Sequence, residues 1–421
     1  MTDQDFLSQM FHAAIAAADP KIALKGHLPP KPKGRTIVVG AGKGVAQLAA
    51  AFEDAWGDPV EGVVVTRYGY GAQCRHIRVL EAAHPVPDAA GMIATQALFD
   101  AVVGLTPDDL VIALITGGGS ALLPCPAHGL TLEDEQALNT ALLASGAPIG
   151  VMNMIRKQIS GIKGGRLAIA AHPARVVSLI VSDVPGDASA QVASGPTVPD
   201  RTTRADACAA IKNYNIALPP AVAHSLATSP EDCPTPDDPK LKRNIVHVIA
   251  SAQKSLEAAA AFAEKNGVRA IILSDAIEGE AREIAKMHAA MACAIRMTEH
   301  PFVPPVVLLS GGETTVTLRG SGGKGGRNSE FQLSLGIALD GVKGVTALAA
   351  DTDGIDGSET NAGAFVDGTT ASRLRAKGAD PLSYLSQNDS WTAFSTLGDL
   401  FETGPTGTNV NDFRAVLIQR A

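Results

Sequence analysis

The stretch LLSGGETTVTLRGSGGKGGRNSE, residues 308–330, sets the pattern on which the fold is built. It begins as an apolar strand, passes through seven glycines and leads into an apolar helix. Glycine permits a positive φ and lets backbone N–H groups approach an anion closely. A glycine-rich loop that enters a helix N-terminus is typical of a phosphate or carboxylate site, although an ordinary turn is the alternative. The residues predicted to bind the anion are Gly325, Gly326 and Arg327, and those predicted to cap the helix are Asn328 or Ser329.

An acidic loop, DTDGIDG, covers residues 351–357 and follows a second buried strand. It resembles half of a calcium loop, but the bidentate glutamate that calcium requires is missing, because Glu359 comes too early. Mg²⁺ needs only one or two carboxylates together with substrate phosphates. The loop therefore predicts a magnesium site at Asp351, Asp353 and Asp356, with Asp351 at the strand end as the first ligand. An Asp-Gly turn, in which carboxylates accept bonds from backbone N–H groups, stays open for Asp353 and Asp356.

Length and composition predict a globular α/β protein of two domains. The 421 residues are 46% hydrophobic, and the net charge of −8 opposes general binding to nucleic acid or to an anionic membrane. The five cysteines form no CxxC pair, which is typical of a reduced protein without a zinc knuckle. The N-terminus lacks the basic start of a signal peptide, and no apolar run reaches the roughly 18 residues that span a bilayer. We therefore expect a soluble, cytoplasmic protein.

Strands and helices alternate along most of the chain, which predicts right-handed βαβ units and a parallel sheet. Strands are predicted at residues 36–39, 62–66, 78–82, 110–116, 175–182, 245–250, 269–274, 304–309, 314–318, 345–350 and 414–419. Ligands of open α/β sheets bind at the carboxyl ends of the strands, where two glycine loops, GAGKG and GGGS, are found. The residues of these loops predicted to contact phosphate are Gly40, Gly42, Gly117, Gly118, Gly119 and Ser120.

The first glycine loop invites a dinucleotide interpretation, but the match is poor. A Rossmann fingerprint needs a third glycine where Val45 stands and an acidic residue after the second strand, which here ends in Thr66 and Arg67. The loop is not a Walker loop either, because no Gly-Lys-Ser or Gly-Lys-Thr closes it. Lys43 would lie at a helix N-terminus, where its charge is unfavourable unless an anion joins it. A turn that needs small residues is the alternative, but the position of Lys43 favours an anion-binding role.

A polar helix face and two single residues give further candidates. Apolar residues recur at helical spacing over residues 149–162, and Asn153 and Lys157 lie on the opposite face. That face is either solvated or helps to hold an anion, and Asn153 and Lys157 are the candidates for the second role. Asp183 directly follows a buried strand. His84, which precedes a proline, could contact a substrate but is as easily structural.

Together the motifs resemble the bacterial glycerate 2-kinase family. They run in family order along nearly the whole chain: VVGAGKG at 38–44, ITGGGSALL at 115–123, MNMIRKQISGIKGGRLA at 152–168, SDVPGD at 182–187, ASGPT at 193–197, SGGETTV at 310–316, GGRNSEFQL at 325–333, DTDGIDG at 351–357 and GPTGTNVND at 404–412. The resemblance implies two α/β lobes with the active site in the cleft between them. The implied lobes are a Rossmann-like domain at 1–235, with helices on both faces of a parallel sheet, and a MOFRL-type domain at 240–421, with its MOFRL region at about 305–415.

The resemblance also implies a reaction and its residues. A phosphoryl group passes from ATP, with Mg²⁺, to the 2-hydroxyl of D-glycerate, giving 2-phosphoglycerate. The family's essential lysine and arginine fall on Lys43 and Arg327. Arg327 binds either the carboxylate of glycerate or the γ-phosphoryl group, and both roles stay open. Asn409 is a candidate substrate contact, and Asp183 is the candidate that orients the substrate hydroxyl. Such enzymes serve tartrate, serine or glyoxylate catabolism and are often named hydroxypyruvate reductase.

Two other functions stay open beside the kinase. NAD(P)H-dependent reduction of hydroxypyruvate is the alternative activity, although the poor dinucleotide fingerprint counts against it. A non-catalytic binding module would keep the glycine loops but gives no reason for the acidic loop together with both cations. The expected partners are the small molecules D-glycerate and ATP, with no nucleic acid and no membrane, and a homodimer stays open.

Overall fold

The structure is a computed structural model that describes residues 1–229, 232–318 and 322–420. Arg319 and Gly320 of the glycine-rich stretch therefore lie outside the described residues. The chain forms two compact units, one of residues 20–249 and one of residues 1–19 together with 250–421. Over the described ranges, no helix is both long enough and apolar enough to cross a membrane.

The helices are α1 Asp3–Ala17, α2 Pro20–Ala23, α3 Val45–Trp56, α4 Ala89–Ala101, α5 Gly119–Leu122, α6 Leu132–Ala144, α7 Ile149–Gln158, α8 Arg166–Ala170, α9 Arg204–Asn213, α10 Pro220–Thr228, α11 Ala252–Lys265, α12 Ala281–Thr298, α13 Arg327–Ala338, α14 Thr370–Ala376, α15 Pro381–Ser386 and α16 Ser390–Leu397. The strands are β1 Thr36–Ala41, β2 Glu61–Arg67, β3 Arg78–Ala82, β4 Leu110–Ile115, β5 Arg175–Val181, β6 Ile245–Ala250, β7 Arg269–Ser274, β8 Gly279–Glu280, β9 Val306–Ser310, β10 Thr314–Thr315, β11 Val345–Asp351, β12 Gly363–Asp367, β13 Leu400–Phe401 and β14 Asp412–Ile418.

Residues 20–249 form an α/β unit around a six-stranded sheet with the order β3-β2-β1-β4-β5-β6. The pairs β3–β2, β2–β1, β1–β4 and β4–β5 are parallel, so the predicted parallel sheet is confirmed. Every residue of β1 and β4 is buried, which shows that both faces of the sheet are covered. The strand order reverses between β1 and β4, and a ligand crevice is expected at the carboxyl ends of these two strands.

Helix α7 buries the polar face that was expected to be either solvated or anion-binding. Lys157 is fully buried and Asn153 is 4% exposed, whereas the apolar Ile149 is 48% exposed. Lys157 forms an ion pair with Asp200, and Lys163, just beyond the helix, pairs with a glutamate of α6 at 2.9 Å. The expectation of a solvated face is wrong, because the charges on this face have partners inside the unit.

The second unit contains a mixed six-stranded sheet with the order β13-β12-β11-β14-β9-β7. Strand β7 runs parallel to β9, while the other four pairs are antiparallel. One face of the sheet packs on α12 and α13 through a core that includes Leu308 and Phe331. The other face packs on α1 and α11, where the rings of Phe11 and Phe401 lie 5.1 Å apart between centroids. The unit is thus an α/β sandwich of a different topology from the first.

Two features of this unit differ from the organisation that the sequence suggested. Helix α1, which the domain limits 1–235 and 240–421 assign to the N-terminal domain, belongs to the compact unit of residues 250–421. Those limits stay a prediction. The strand predicted at 314–318 is reduced to β10, which pairs with β8 and not with β9. Gly312, with φ 111°, turns the chain against the backbone of Ile277, and this turn separates β10 from β9.

Candidate functional site

Three loops of the 20–249 unit meet at the carboxyl ends of β1, β4 and β5. The N–H of Lys43 donates to the carbonyl oxygen of Gly117 at 2.9 Å, which ties the loop after β1 to the loop after β4. Asp183 follows β5 and packs on Gly117, since a Cβ at this glycine would lie 2.0 Å from the Oδ2 of Asp183. The structure therefore brings together three predicted residues from three strands.

The backbone of the loop after β1 is already hydrogen-bonded within the unit. Gly40 is still part of β1. The N–H of Gly42 donates to a carbonyl of β2 at 3.1 Å, and the N–H of Gly44 donates to a threonine hydroxyl at the end of β4 at 3.2 Å. Because the N–H of Lys43 is also bonded, this loop presents its lysine side chain to an anion rather than a set of backbone donors. The phosphate contacts of Gly40 and Gly42 stay a prediction that these bonds do not support.

The side chain of Lys43 lies over the loop that follows β4. A Cβ at Gly118 would lie 2.9 Å from the Cγ of Lys43 and 3.2 Å from the Nε2 of His84, so both side chains face this glycine. Within the described ranges, the Lys43 ammonium forms no ion pair, and the N–H groups of Gly118 and Gly119 donate no hydrogen bond. One cation and two backbone donors therefore face one small region, which suits a phosphate or a carboxylate.

His84 is held neutral at this position. Burial, together with the nearby charges of Lys43 and Arg67, lowers the pKa of His84 to about 4. A neutral imidazole still donates one hydrogen bond from a ring nitrogen and adds no positive charge of its own. The sequence left His84 between a substrate contact and a structural role, and its place beside Lys43 makes it part of the candidate site.

Ser120 and Asn153, both predicted phosphate ligands, belong to one hydrogen-bond network. The Oγ atoms of Ser120 and Ser194 lie 2.8 Å apart, and the Ser194 hydroxyl donates to the Oδ1 of Asn153 at 3.1 Å. Arg156 donates to the same oxygen at 3.0 Å. Ala193 and Ser194 have positive φ values of 52° and 60°, a backbone strain that concentrates at functional sites. The network fixes the loop after β4 to the segment after β5.

Lys157, a third predicted phosphate ligand, has a partner inside the protein. Its fully buried ammonium donates to the Oδ2 of Asp200. Burial acts to raise the pKa of Asp200, but the bonds from Lys157 and Thr202 outweigh it, and the pKa lies below its ordinary value. The carboxylate therefore stays ionised and neutralises Lys157, which leaves the predicted phosphate contact of this lysine without support.

Arg327 is the first residue of α13, and three carboxylates surround its guanidinium. Its Nε donates to the Oδ1 of Asp412 at 2.6 Å, and its Nη2 donates to the Oδ2 of Asp351 at 2.7 Å. Its Nη1 lies 3.4 Å from the Oε1 of Glu313, whose side chain is 58% exposed. Burial acts to lower the pKa of Arg327, but Asp412 and Asp351 raise it above its ordinary value. The edge toward Glu313 is therefore the least firmly held part of the guanidinium.

Asp412 is a residue of this cluster that the sequence interpretation missed. Its fully buried carboxylate also accepts a bond from the Nδ2 of Asn328 at 2.8 Å and bonds the buried guanidinium of Arg414. One carboxylate thus orients Arg327 and compensates a second arginine. A signal was present, because Asp412 ends the motif GPTGTNVND, two residues before the last predicted strand.

The N-terminus of α13 already holds a carboxylate, that of Asp356. Its Oδ1 accepts from the N–H of Asn328 at 2.9 Å, and its Oδ2 accepts from the N–H of Ser329 at 2.7 Å. Gly326, and not Asn328 or Ser329, occupies the N-cap position. It permits the close approach, since a Cβ there would lie 2.4 Å from the Oδ1 of Asp356. The anion site predicted at Gly325 and Gly326 is thus filled by the protein's own side chain.

The three predicted metal ligands do not fit a protein-held Mg²⁺ site. Asp356 uses both oxygens on α13, Asp351 holds Arg327, and the Oδ1 of Asp353 accepts the N–H of Ile355 at 2.8 Å. No group of three or more histidine, cysteine or acidic side chains in the described part of the chain is arranged to hold a metal ion. The oxygens that Mg²⁺ would need from Asp351 and Asp356 are therefore engaged by Arg327 and by the N-terminus of α13.

Asn409 lies in the loop before β14, which packs against the acidic loop. Its Oδ1 accepts from the N–H of Asn411 at 3.2 Å, and the N–H of Thr406 donates to the carbonyl oxygen of Asp353 at 3.0 Å. Over the residues that the structure describes, the side-chain amide of Asn409 donates no hydrogen bond. That amide remains a donor for a ligand.

The sequence matches two known families. Residues 6–227 match a family described as a domain of unknown function, DUF4147, and residues 306–412 match the MOFRL family. The D-glycerate 2-kinase of Thermotoga maritima is 40% identical to this chain, over 96% of this chain and 96% of that protein. The chain belongs to the glycerate kinase family.

A solved structure of the glycerate kinase family has the same fold. The crystal structure of a glycerate kinase from Thermotoga maritima matches with a TM-score of 0.89 and 39% identity, covering 98% of this chain and 99% of that one. The predicted family and α/β fold are confirmed. A relative from Agrobacterium vitis, 52% identical over 98% of this chain and 94% of that protein, is provisionally named a hydroxypyruvate reductase. The family therefore carries two names that describe different chemistry.

Proposed function

We propose that this chain is a glycerate 2-kinase, which transfers the γ-phosphoryl group of ATP to the 2-hydroxyl of D-glycerate and releases 2-phosphoglycerate and ADP. The observation that carries the proposal is the likeness to the Thermotoga maritima D-glycerate 2-kinase at 40% identity across 96% of both chains. The aligned region covers residues of both compact units. The proposal therefore assigns catalytic residues in each unit.

Lys43 is the proposed cation for the phosphate groups. Phosphoryl transfer needs mainly positioning and neutralisation of charge on the phosphate oxygens, with little covalent chemistry from the protein. Lys43 has no carboxylate partner among the described residues and is fixed by its backbone bond to Gly117. The N–H groups of Gly118 and Gly119 supply further donors beside it. Asp183, which packs on Gly117, is the proposed group that orients the substrate hydroxyl.

Arg327 is the proposed second cation. Its Nε and Nη2 are held by Asp412 and Asp351, so the guanidinium is fixed in orientation before a ligand arrives. The Nη1 edge contacts the exposed Glu313 at 3.4 Å, and an incoming anion can replace that contact at little cost. The anion is either the carboxylate of glycerate or the γ-phosphate, and Asn409 is the proposed amide donor to the substrate.

Mg²⁺ is proposed to arrive with the nucleotide. Magnesium in phosphoryl-transfer enzymes keeps several waters and takes its other ligands from substrate phosphates and one or two carboxylates. This assignment agrees with an acidic loop in which Asp351 and Asp356 already accept bonds from protein donors. The five free cysteines support a cytoplasmic setting, where ATP is available.

The second candidate function is an NAD(P)H-dependent hydroxypyruvate reductase. The name of the Agrobacterium vitis relative favours it, and so does Arg67, which ends β2 where NADP-binding folds use an arginine. Against it, Val45 replaces the third glycine of the fingerprint, and the N–H groups of Gly42 and Gly44 are bonded within the protein. The kinase remains the better supported activity.

One pair of assays separates the two functions. The purified full-length chain is given D-glycerate with Mg-ATP, and ADP formation is followed while ³¹P NMR identifies the product. The same preparation is given hydroxypyruvate with NADH or NADPH. We expect ADP only when D-glycerate is present, with 2-phosphoglycerate as the product. Steady oxidation of NADH or NADPH, with no ADP from glycerate and ATP, would overturn the kinase proposal.

A further inference from the structure

Lys43, Arg67 and His84 lie at or just beyond the carboxyl ends of three adjacent strands, β1, β2 and β3. Ala41 of β1 pairs with Val65 of β2, so Lys43 and Arg67 each lie two residues beyond one register pair. Arg67 in turn pairs with Ala82 of β3, and His84 follows Ala82 by two residues. The three residues therefore lie in a row along the carboxyl edge of β1, β2 and β3, which we name the cationic arc.

The two permanent charges of the cationic arc have no carboxylate partner in the part of the chain that the structure describes. Across the described ranges, neither Lys43 nor Arg67 forms an ion pair. Two acidic side chains in or just after β3 have other partners: Glu81 accepts from the N–H of Gly71 at 3.1 Å, and Asp88 accepts from the hydroxyl of Tyr68 at 2.7 Å. In a chain of net charge −8, two neighbouring cations without counter-ions indicate a site for an anionic ligand.

His84 lies beside Lys43, since the Nε2 of His84 and the Cγ of Lys43 both approach Gly118. Its pKa of about 4 results first from burial and then from the positive charges of Lys43 and Arg67. No hydrogen bond to its ring is formed by any residue that the structure describes. An imidazole with no protein partner, facing two cations, is suited to donate to a phosphate oxygen.

Arg67 is held in one orientation by an aromatic ring. Its guanidinium lies over the ring of Tyr70, with 3.5 Å between the Cζ and the ring centroid. Tyr70 is tied back by its N–H, which donates to the carbonyl of Arg67 at 3.1 Å, and by its carbonyl, which accepts from Gln47 of α3 at 3.2 Å. Stacking leaves the N–H groups at the edge of a planar guanidinium available for bidentate contact with phosphate.

We propose that the cationic arc is the binding site for the phosphate groups of the nucleotide, and that Arg67 is a further phosphate-binding residue of this enzyme. The proposal rests on the proposed kinase function, since it takes the ligand to be ATP and ADP. It also assigns the nucleotide to the 20–249 unit. The glycine loop at α13 is the less suitable site, because Asp356 already fills it.

The test compares Arg67→Gln and Arg67→Lys with a matched control. Arg78→Gln removes an exposed arginine from the opposite end of β3, at the first residue of the strand. In calorimetric titrations, the Kd for ADP should be at least about tenfold higher for Arg67→Gln than for the wild type. Such a loss is typical when a charged hydrogen bond is removed. Arg67→Lys should retain part of the affinity, and Arg78→Gln should bind as the wild type. The KM for ATP should rise in Arg67→Gln while the KM for D-glycerate changes by less than about twofold.

A second readout does not depend on turnover. In ¹H–¹⁵N spectra of the free wild-type protein, the His84 ring should titrate near pH 4. Removing the charge in Arg67→Gln should raise the pKa of His84, and adding ADP to the wild type should raise it further, because an anion stabilises the imidazolium. Equal ADP affinity in wild type and Arg67→Gln, with an unshifted His84, would overturn the cationic arc.

Failure of the arc and failure of the proposed function give different results. If the wild type phosphorylates glycerate and Arg67→Gln has the same activity and the same affinity for ADP, only the proposal for the cationic arc is overturned. A wild type that does not bind ADP but binds NADPH, with loss of NADPH binding in Arg67→Gln, overturns the kinase and assigns the arginine to a dinucleotide phosphate. A third outcome is that the wild type binds 2-phosphoglycerate but not ADP, and that Arg67→Gln loses this binding. That outcome would overturn the nucleotide as the ligand of the cationic arc.

Discussion

The Nε of Arg327 donates to the Oδ1 of Asp412 at 2.6 Å, and the same buried carboxylate bonds the guanidinium of Arg414 through its other oxygen. The two residues of the first bond are 85 positions apart in the chain. A single buried acid thus fixes the direction of a proposed catalytic arginine and compensates an arginine of the core. The contacts that orient Arg327 therefore also stabilise the unit formed by residues 1–19 and 250–421.

Asp412→Asn is expected to lower the free energy of unfolding by about 3–5 kcal/mol, because it leaves Arg414 as an uncompensated buried charge. Denaturant titration with two optical probes measures this. Glu313→Gln is the control, since this acid contacts the same arginine from an exposed position and should change stability by no more than about 1 kcal/mol. Equal stability of the two variants would contradict the central role of Asp412.

Arg327→Lys should remain badly impaired although it keeps the charge. A lysine has no planar fork and cannot bond Asp351 and Asp412 together while presenting a further donor. We expect a loss of about a hundredfold in kcat/KM, of the size found when one preorganised donor is removed from a transition state. Steady-state kinetics with D-glycerate and Mg-ATP measures it, and activity within threefold of wild type would rule out a role for the fork.

Lys43→Ala should lower turnover by about a hundredfold or more, on the order of 3 kcal/mol, with no loss of fold. The side chain forms no ion pair in the described part of the protein and lies over Gly118 outside the hydrophobic core, so its removal exposes no core. Lys33→Ala, at an exposed position before β1, is the matched control and should have normal kinetics. Similar activity of both variants would remove Lys43 from the mechanism.

Asp356→Asn should lower stability but leave the response to magnesium unchanged. The carboxylate caps α13 through two N–H bonds, and loss of such a cap costs about 0.5–2 kcal/mol. Because Asp356 acts as a helix cap, we expect the Mg²⁺ dependence of activity in Asp356→Asn to match that of the wild type once the amounts of folded protein are made equal. A large increase in the magnesium concentration for half-maximal activity would instead make Asp356 a metal ligand.

Acid should destabilise the unit of residues 250–421 through His288. Burial lowers the pKa of His288 to about 4, while its unfolded value is about 6.5. Between these two values the unfolded chain binds the proton more tightly, so stability is complete above pH 6.5 and is lost as the pH falls toward 4. The free energy of unfolding is measured by denaturant titration at pH 7.5 and at pH 5. Its decrease between the two pH values should be smaller for His288→Gln than for the wild type. His224→Gln, at an exposed position, should behave as the wild type.

Local sequence patterns were enough to predict the parallel sheet and its ligand edge. The apolar runs that became β1, β4 and β5 are short and end in glycine or aspartate, so the strand ends and the positions of Lys43, Gly117 and Asp183 could be inferred together. The pairing of β10 with β8 could not, because it depends on how Gly312 packs on a distant backbone.

Long-range pairing of charges explains what the sequence interpretation missed in the candidate site. Lys157 and Asp200 are 43 positions apart, and nothing local indicates that the lysine of an amphipathic helix is buried with that acid. The same holds for Asp356, whose carboxylate looks like a metal ligand in the sequence and is a helix cap in the structure. Composition predicts which charges exist, but only tertiary contacts decide which of them are neutralised.

The packing of α1 has a consequence for how the protein is made. Its apolar face, with Phe6, Leu7 and Phe11, is covered by α11 and by strands that come from the last third of the chain. During synthesis the ribosome releases α1 before its packing partners, which follow residues 20–249 in the chain. At usual translation rates this leaves the apolar face of α1 without its complete set of partners for roughly twenty to eighty seconds. The nascent chain therefore presents α1 to chaperones while the 20–249 unit is already able to fold.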